Sequence, residues 1–503
     1  MKDVSTSLDM TRSLLEDRRT VWLVAAIAIF LFLVGNLPWQ LDDYDQAKQA
    51  FTSFEMIKEG HWFYQRTPHE QVATKPPLVG WISAGLFELT RSWDVAWRLP
   101  SFLAAIGITI LLFRAASSAY GSIAGVIALG AFGLNLLSPR LATLVRTDMP
   151  LAFMIFLIGL LIWERIRSET KWSPRDRVYI FALLTVAMLI KGPIVYAFLL
   201  PGIALFQFLG RARPPGAPLH SAWCGWWPWI GSLGVFLLWV IGGILFQPGF
   251  FDEVVMREFI GRFGETIHRP QPLYFYLPHL LHKFAPWSML MIAIAILDLR
   301  SRRWKISAAF REMSPETFWL ICWIAGSLIT MSLIPSKRVD RIFPIIPPLC
   351  LLLAAQISGR DAALRRPVGA ARRPYLWVVI ALLLSILVTG GYTIAKVISG
   401  SRDHRDALVV FGRNVRHEAE VHHWRYGVVS AKDEGLLLYL RRTHFIQPDR
   451  AIAQWNRGNL DALVVPAEKA PALMRELHDA ALSQLKSNER RDEQGRRYVL
   501  ITR

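Results

Sequence analysis

Arg146-Thr-Asp148 stands directly before Met149-Pro150-Leu151, the start of an apolar run over 149–164. About 20 apolar residues cross a bilayer, and somewhat fewer suffice for a helix buried among others. A carboxylate against such a run is costly unless it is paired or does chemistry. Charge is thus placed at the rim of a membrane helix. Two more stretches repeat the pattern: Asp45-Gln-Ala-Lys48 and Lys75-Pro-Pro77 lie in the first loop after an apolar run from Val21 to Leu37. These three motifs fit the active site of an enzyme acting on a lipid phosphate.

The rest of the chain reads as a polytopic α-helical membrane protein. Of its 503 residues, 53% are hydrophobic and 19% charged, and 20 are Trp, a membrane composition. The net charge of +18 does not point to nucleic acid, because Lys and Arg cluster in short loops between apolar runs. Cys224, Cys322 and Cys350 lie in or beside apolar segments without metal-like spacing, which argues against disulfides and a cysteine-built zinc site. Arg12, Arg18 and Arg19 precede the 21–37 run, which is long for a signal core and lacks a small-residue cleavage site, so it is expected to be a retained first helix.

Eleven spans are expected: 21–37, 99–113, 119–137, 149–164, 178–192, 194–210, 226–246, 273–297, 317–335, 342–357 and 375–398. The short segment 77–90, capped by Pro76-Pro77, is assigned to an interfacial helix. With the N-terminus cytoplasmic, the basic short loops (Arg165 to Arg177, Arg211 and Arg213, Arg300 to Lys305, Arg360 to Arg373) all fall inside, as the positive-inside rule requires. The domain expected over 1–398 then has outer loops at 38–98 and 247–272, and 399–503 forms a small periplasmic α/β domain of a bacterial inner-membrane protein. In that domain 426–430, 461–466 and 497–501 read as strands, and 433–442 and 467–485 as helices.

Ala47, Ala50, Phe51, Phe54 and Ile57 recur at helical spacing, which predicts an amphipathic helix on the membrane surface with Asp45 at its N-terminus. Asp45 there is either a cap or a reactive carboxylate, since the helix dipole favours its ionised form in both cases. Pro76 holds Lys75 out of the following helix, where its ammonium either meets a phosphate or snorkels to the interface. Arg262 is a second phosphate candidate, or else a salt-bridge partner of Glu258 or Glu265, and Arg146 is the expected partner of Asp148. His279 and His282 at i, i+3 are compatible with a divalent metal, but no third ligand completes a motif.

Asp45-Gln-Ala-Lys-Gln-Ala, then Met56 to Trp62 and Lys75-Pro-Pro-Leu78, resembles the first outer loop of GT-C glycosyltransferases in the aminoarabinose transferase and protein O-mannosyltransferase-like branch. The likeness continues through Arg98-Leu-Pro100, Arg146-Thr-Asp148, Lys191-Gly-Pro193, Glu258 to Phe263, Pro286-Trp287, and Lys337, Arg341 and Pro344, covering roughly 38–350. It departs where the family's Asp-Glu becomes Asp45-Gln46, and where Phe343 or Arg341 replaces a late tyrosine.

The resemblance implies an inverting transfer of a sugar from a polyprenyl-phosphate donor to a lipid or glycan acceptor, or to a protein hydroxyl, with lipid A-like glycolipids included. Asp45 and Asp148 would be the catalytic carboxylates, and Lys75 and Arg262 would bind the donor phosphate. Asp43, Glu258, His268, Lys337 and Arg341 are further candidates for the substrate cavity. No nucleotide-binding motif is visible, in keeping with a lipid-linked donor. A transporter or flippase is the alternative, and an envelope assembly subunit a third reading. The charges gather at one rim and the halves of the chain are not alike, which fits a transporter poorly.

Overall fold

The computed structural model describes residues 12–41, 44–211, 222–261, 270–301, 313–358, 373–429, 433–485 and 497–503. Every apolar run singled out above is helical. Among the described residues, six helices are long and apolar enough to cross a membrane, or seven when Leu273–Lys283 and Trp287–Arg300, bent by 103°, are one broken span. The six include Trp93–Tyr120, Asp148–Arg167, Trp227–Phe246 and Pro315–Leu333. Leu78–Thr90, Ser122–Gly133 and Ile194–Gly210 are shorter apolar helices.

Packing divides the chain into two compact units. The first contains 1–35, 98–143 and 147–393; the second contains 36–97, 144–146 and 394–503. Composition placed a boundary near 398, whereas packing groups the first loop with the C-terminal segment.

In the first unit, small residues let apolar helices meet at their backbones, as lipid-embedded helices require. A Cβ on Gly326 would lie 2.5 Å from the backbone nitrogen of Gly202, and one on Gly202 would lie 2.7 Å from Cα of Trp323. Ile194–Gly210 and Pro315–Leu333 therefore cross in direct contact, with Ser327 Oγ donating to the carbonyl of Phe198 at 2.7 Å.

The second unit is built on a four-stranded sheet of β1 (Tyr426–Val428), β2 (Ala462–Pro466), β3 (Ala481–Leu482) and β4 (Tyr498–Thr502), in the order β1-β2-β4-β3. β1 runs parallel to β2, and the other pairs are antiparallel. All five residues of β2 are buried, and its alternation shows why. Ala462 and Val464 face one core, with Leu41, Ala47, Phe51, Phe54, Phe411 and Leu436 among its members. Leu463 and Val465 face another, closed by Ala451, Trp455 and Leu473. The expected helix over 467–485 is confined to Ala470–Met474, and 481–482 pairs with β4 instead.

The helix Tyr44–Glu59 corrects a second expectation. Its apolar stripe does not lie on a membrane surface: Ala47, Ala50, Phe51 and Phe54 are 0–2% exposed, under the C-terminal helices and sheet. The adjoining Leu41 is clamped by the short helix Glu434–Tyr439, where its amide donates to Tyr439 Oη at 2.5 Å. A Cβ on Gly435 would stand 2.7 Å from the Leu41 carbonyl oxygen, so glycine is required for this approach.

Glu434 is buried beside that clamp. Burial pushes its carboxyl up to about 7, with nearby Asp433 adding to the rise and Lys48 opposing it. Between its unfolded value and about 7, the folded protein keeps a proton that the unfolded chain releases, so stability falls as pH rises through that window. Glu434→Gln removes the penalty. Thermal unfolding at pH 5 and pH 8 is expected to show the variant gaining about 2–3 kcal/mol over wild type between the two. A gain that does not change with pH would contradict this reading.

Candidate active site

Asp45 sits in the first turn of Tyr44–Glu59, where the positive end of the helix dipole favours its anion. Arg146 faces it, with Nη2 3.6 Å from Asp45 Oδ2. The arginine side chain is 8% exposed and the aspartate 30%, so the carboxylate keeps an open side. Gln46 holds this partner in place: its Oε1 accepts from the backbone amide of Val145 at 3.2 Å. An amide oxygen does this without adding a second negative charge beside Asp45, which gives the departure from the Asp-Glu pattern a structural role.

Lys75 ends a loop folded on itself. Ala73 N–H donates to Gln65 O and Thr67 N–H to Gln71 O, both at 2.7 Å, and Arg66 bridges Val72. Gln65 Nε2 and Trp81 Nε1 both donate to the carbonyl of Trp62, at 2.8 and 2.7 Å. His61 pairs with Glu55, which is buried; burial raises the Glu55 carboxyl above its ordinary value, and His61 opposes the rise. The next helix starts at Leu78, leaving Lys75 partly exposed in non-helical chain.

In the first unit, Asp148 opens Asp148–Arg167 and accepts from Lys191 Nζ at 2.5 Å. Lys191 is the last residue of Pro174–Lys191, before Gly192 at φ 74°. The pair joins an acid at a helix N-terminus to a base at a helix C-terminus, so both dipoles favour the charges. The sequence assigned Asp148 to Arg146. The structure shows Lys191 as a partner of Asp148 and Asp45 as a partner of Arg146. Lys191 was visible only as a lysine before Gly-Pro at the end of an apolar run.

The other cavity candidates separate. Lys337 Nζ donates to Gln271 O at 2.9 Å, and Arg341 Nη1 to Ser336 O at 2.6 Å, so both bind backbone between elements. Asp43, Arg262 and His268 lie outside the described residues. Glu258 is in the π-helical stretch Phe251–Ile260, with its side chain likewise outside the description. Among the described residues, no three of His, Cys, Asp and Glu are grouped to hold a metal.

The model of the dolichyl-phosphate-mannose-protein mannosyltransferase family matches residues 74–242. A Shewanella sediminis protein named undecaprenyl phosphate-alpha-4-amino-4-deoxy-L-arabinose arabinosyl transferase is 25% identical over 68% of this chain and 61% of its own length. A Sodalis glossinidius protein of the same description is 26% identical over 72% and 64%. The chain thus matches just over three fifths of these curated relatives. The crystal structure of ArnT from Cupriavidus metallidurans bound to undecaprenyl phosphate is similar in fold, with a TM-score of 0.68 at 18% identity over 96% of this chain and 97% of that one. The Archaeoglobus fulgidus oligosaccharyltransferase tethered with an acceptor peptide gives 0.51 at 16% identity, over 92% and 71%. The chain shares the fold of these solved proteins and resembles the mannosyltransferase family over residues 74–242.

The Asp148–Lys191 pair has a direct test. Breaking a mostly buried ion pair from one side costs about 3–5 kcal/mol when the charge left behind stays buried. Both side chains keep some exposure, 10% and 21%, so the lower end applies. Lys191→Met is expected to lower the unfolding temperature in detergent, and adding Asp148→Asn to restore most of the loss. Additive losses in the double variant would contradict the pairing.

Proposed function

We propose that this protein is an inverting glycosyltransferase that moves a sugar from a polyprenyl-phosphate donor to an envelope acceptor. The observation that carries the reading is the Asp45–Arg146 pair at 3.6 Å: a carboxylate at a helix N-terminus, backed by a buried guanidinium and 30% exposed. In this reading Asp45 accepts the proton of the attacking acceptor hydroxyl, which forms the new glycosidic bond. The bond broken joins the anomeric carbon to the phosphate oxygen, and its electron pair leaves with the phosphate. The role proposed for Lys75 and Arg262 is to bind that phosphate and stabilise the charge that grows on it. Attack opposite the leaving group inverts the anomeric centre. Asp148 is proposed as a second catalytic carboxylate.

The relatives' names support a lipid-linked donor, and the motif order supports the same roles here. We place the protein in a bacterial inner membrane with eleven spans, the N-terminus in the cytoplasm, and 399–503 and the reaction on the periplasmic side. A lipid A-like glycolipid, a glycan and a protein hydroxyl all have the chemistry of the acceptor. No observation favours a transporter.

The test is chemical. A strain lacking the protein is complemented with wild type or Asp45→Asn, and envelope lipids and glycans are compared by mass spectrometry. The expected result is one sugar-bearing species that is lost on deletion, restored by wild type, and reduced about 100-fold or more in the Asn variant at equal protein level, the scale of a general base. Full restoration by Asp45→Asn would overturn the assignment.

A further inference from the structure

The second unit contains a cationic cleft that the proposed reaction does not use. Arg413 and Arg416 project from Ala407–Val421, and Arg441 from the turn after Glu434–Tyr439. With Trp93, Asp94, Trp97, Val409, Leu438 and Tyr439 they line a recess of about 280 Å³, its open mouth included. Asp94 is the acid in the lining, 3.5 Å from Arg413, so three guanidiniums face one carboxylate.

Two features separate this cluster from an ordinary solvated basic surface. The Arg416 Nε is buried and makes no hydrogen bond among the described residues, a costly state for a charged donor. Arg441 is held in the left-handed region at φ 56°, where burial first and the neighbouring Arg416 second depress its pKa. Like charges are therefore gathered under strain and partly removed from water. Arg442, next in the chain, stacks on the Tyr426 ring at 4.0 Å and does not line the recess.

Clustered guanidiniums, one of them with an unused buried donor, match the oxygens of a phosphate, which can accept from several at once. The setting indicates where such a phosphate comes from. Trp93, Asp94 and Trp97 form the first turns of the 28-residue apolar helix Trp93–Tyr120, and the end of a helix long and apolar enough to cross a membrane is where lipid headgroups lie. The two indoles stack at 5.2 Å, and Trp97 Nε1 donates to Ser53 Oγ in the Asp45 helix at 2.9 Å. We propose that Arg413, Arg416 and Arg441 form a phosphate-binding site that takes the phosphomonoester headgroup of an anionic amphiphile or the same group free in solution.

This inference stands apart from the proposed reaction, and its test reads binding alone. The full-length protein in detergent is titrated with phosphatidic acid, phosphatidylcholine and inorganic phosphate and followed by native mass spectrometry. Phosphatidic acid is expected to bind at least about tenfold more tightly than phosphatidylcholine, and the Arg416→Gln, Arg441→Gln double variant to lose that preference. Arg416→Lys, which keeps the charge and loses the planar fork, is expected to retain part of it. Arg425→Gln, at a basic residue outside the lining that pairs with Asp461, is expected to leave it unchanged. Inorganic phosphate that binds where phosphatidic acid does not would assign the site to soluble phosphate and support it. Binding of neither phosphate, or wild-type binding by the double variant, would overturn the proposal.

Discussion

An ionised carboxylate beside apolar helices persists only where a cation or a helix dipole offsets its loss of water. This constraint organises the candidate site. Asp45 and Asp148 each occupy the first turn of a helix, and each faces a base from another segment: Arg146 at 3.6 Å and Lys191 at 2.5 Å. The two arrangements are not equivalent. Lys191 makes a hydrogen-bonded contact that satisfies Asp148, whereas the longer Asp45–Arg146 separation supports the charge while leaving the carboxylate accessible. An acid that must take a proton from a substrate needs the second arrangement.

The helix bearing Asp45 is held by residues distant in sequence. Leu41 is clamped by Tyr439 and Gly435, and the apolar stripe from Ala47 to Phe54 is buried in the core that the sheet and the C-terminal helices complete. The C-terminal segment is therefore part of the framework that sets the direction of Asp45. Its charge state matters to that framework through Glu434, a carboxyl that titrates near neutrality beside Lys48 on the same helix as Asp45. The arginine cleft uses the same framework: its indole floor is hydrogen-bonded to Ser53 and packs Trp93 on Phe54 at 5.5 Å.

Much of this was legible in the sequence, for identifiable reasons. Among the described residues, apolar runs located each helix long and apolar enough to cross a membrane, because length and hydropathy carry that signal. β-like runs located β1, β2 and β4. Asp45 and Lys75 emerged from the order of motifs, since each alone reads equally well as a cap or a snorkelling lysine. Periodicity showed that Ala47, Ala50, Phe51 and Phe54 share a covered face; it carries no information about what covers it, and the partner was protein rather than membrane. Ion-pair partners were hidden for the same reason. Lys191 lies 43 residues from Asp148 in the chain, and only its place at the end of another helix brings the two together. The arginine cleft joins residues about 30 positions apart, so no spacing rule could assemble it.

The central claim is a division of labour: Lys75 recognises the phosphate of a prenyl carrier, and Asp45 acts on the incoming nucleophile. Equilibrium binding of undecaprenyl phosphate to the purified protein tests it without knowledge of the sugar or acceptor. The account predicts that Lys75→Ala weakens binding by about tenfold or more, as loss of a charge-assisted contact should, while Asp45→Asn binds like wild type. Undiminished binding by Lys75→Ala, or an equal loss in Asp45→Asn, would contradict it.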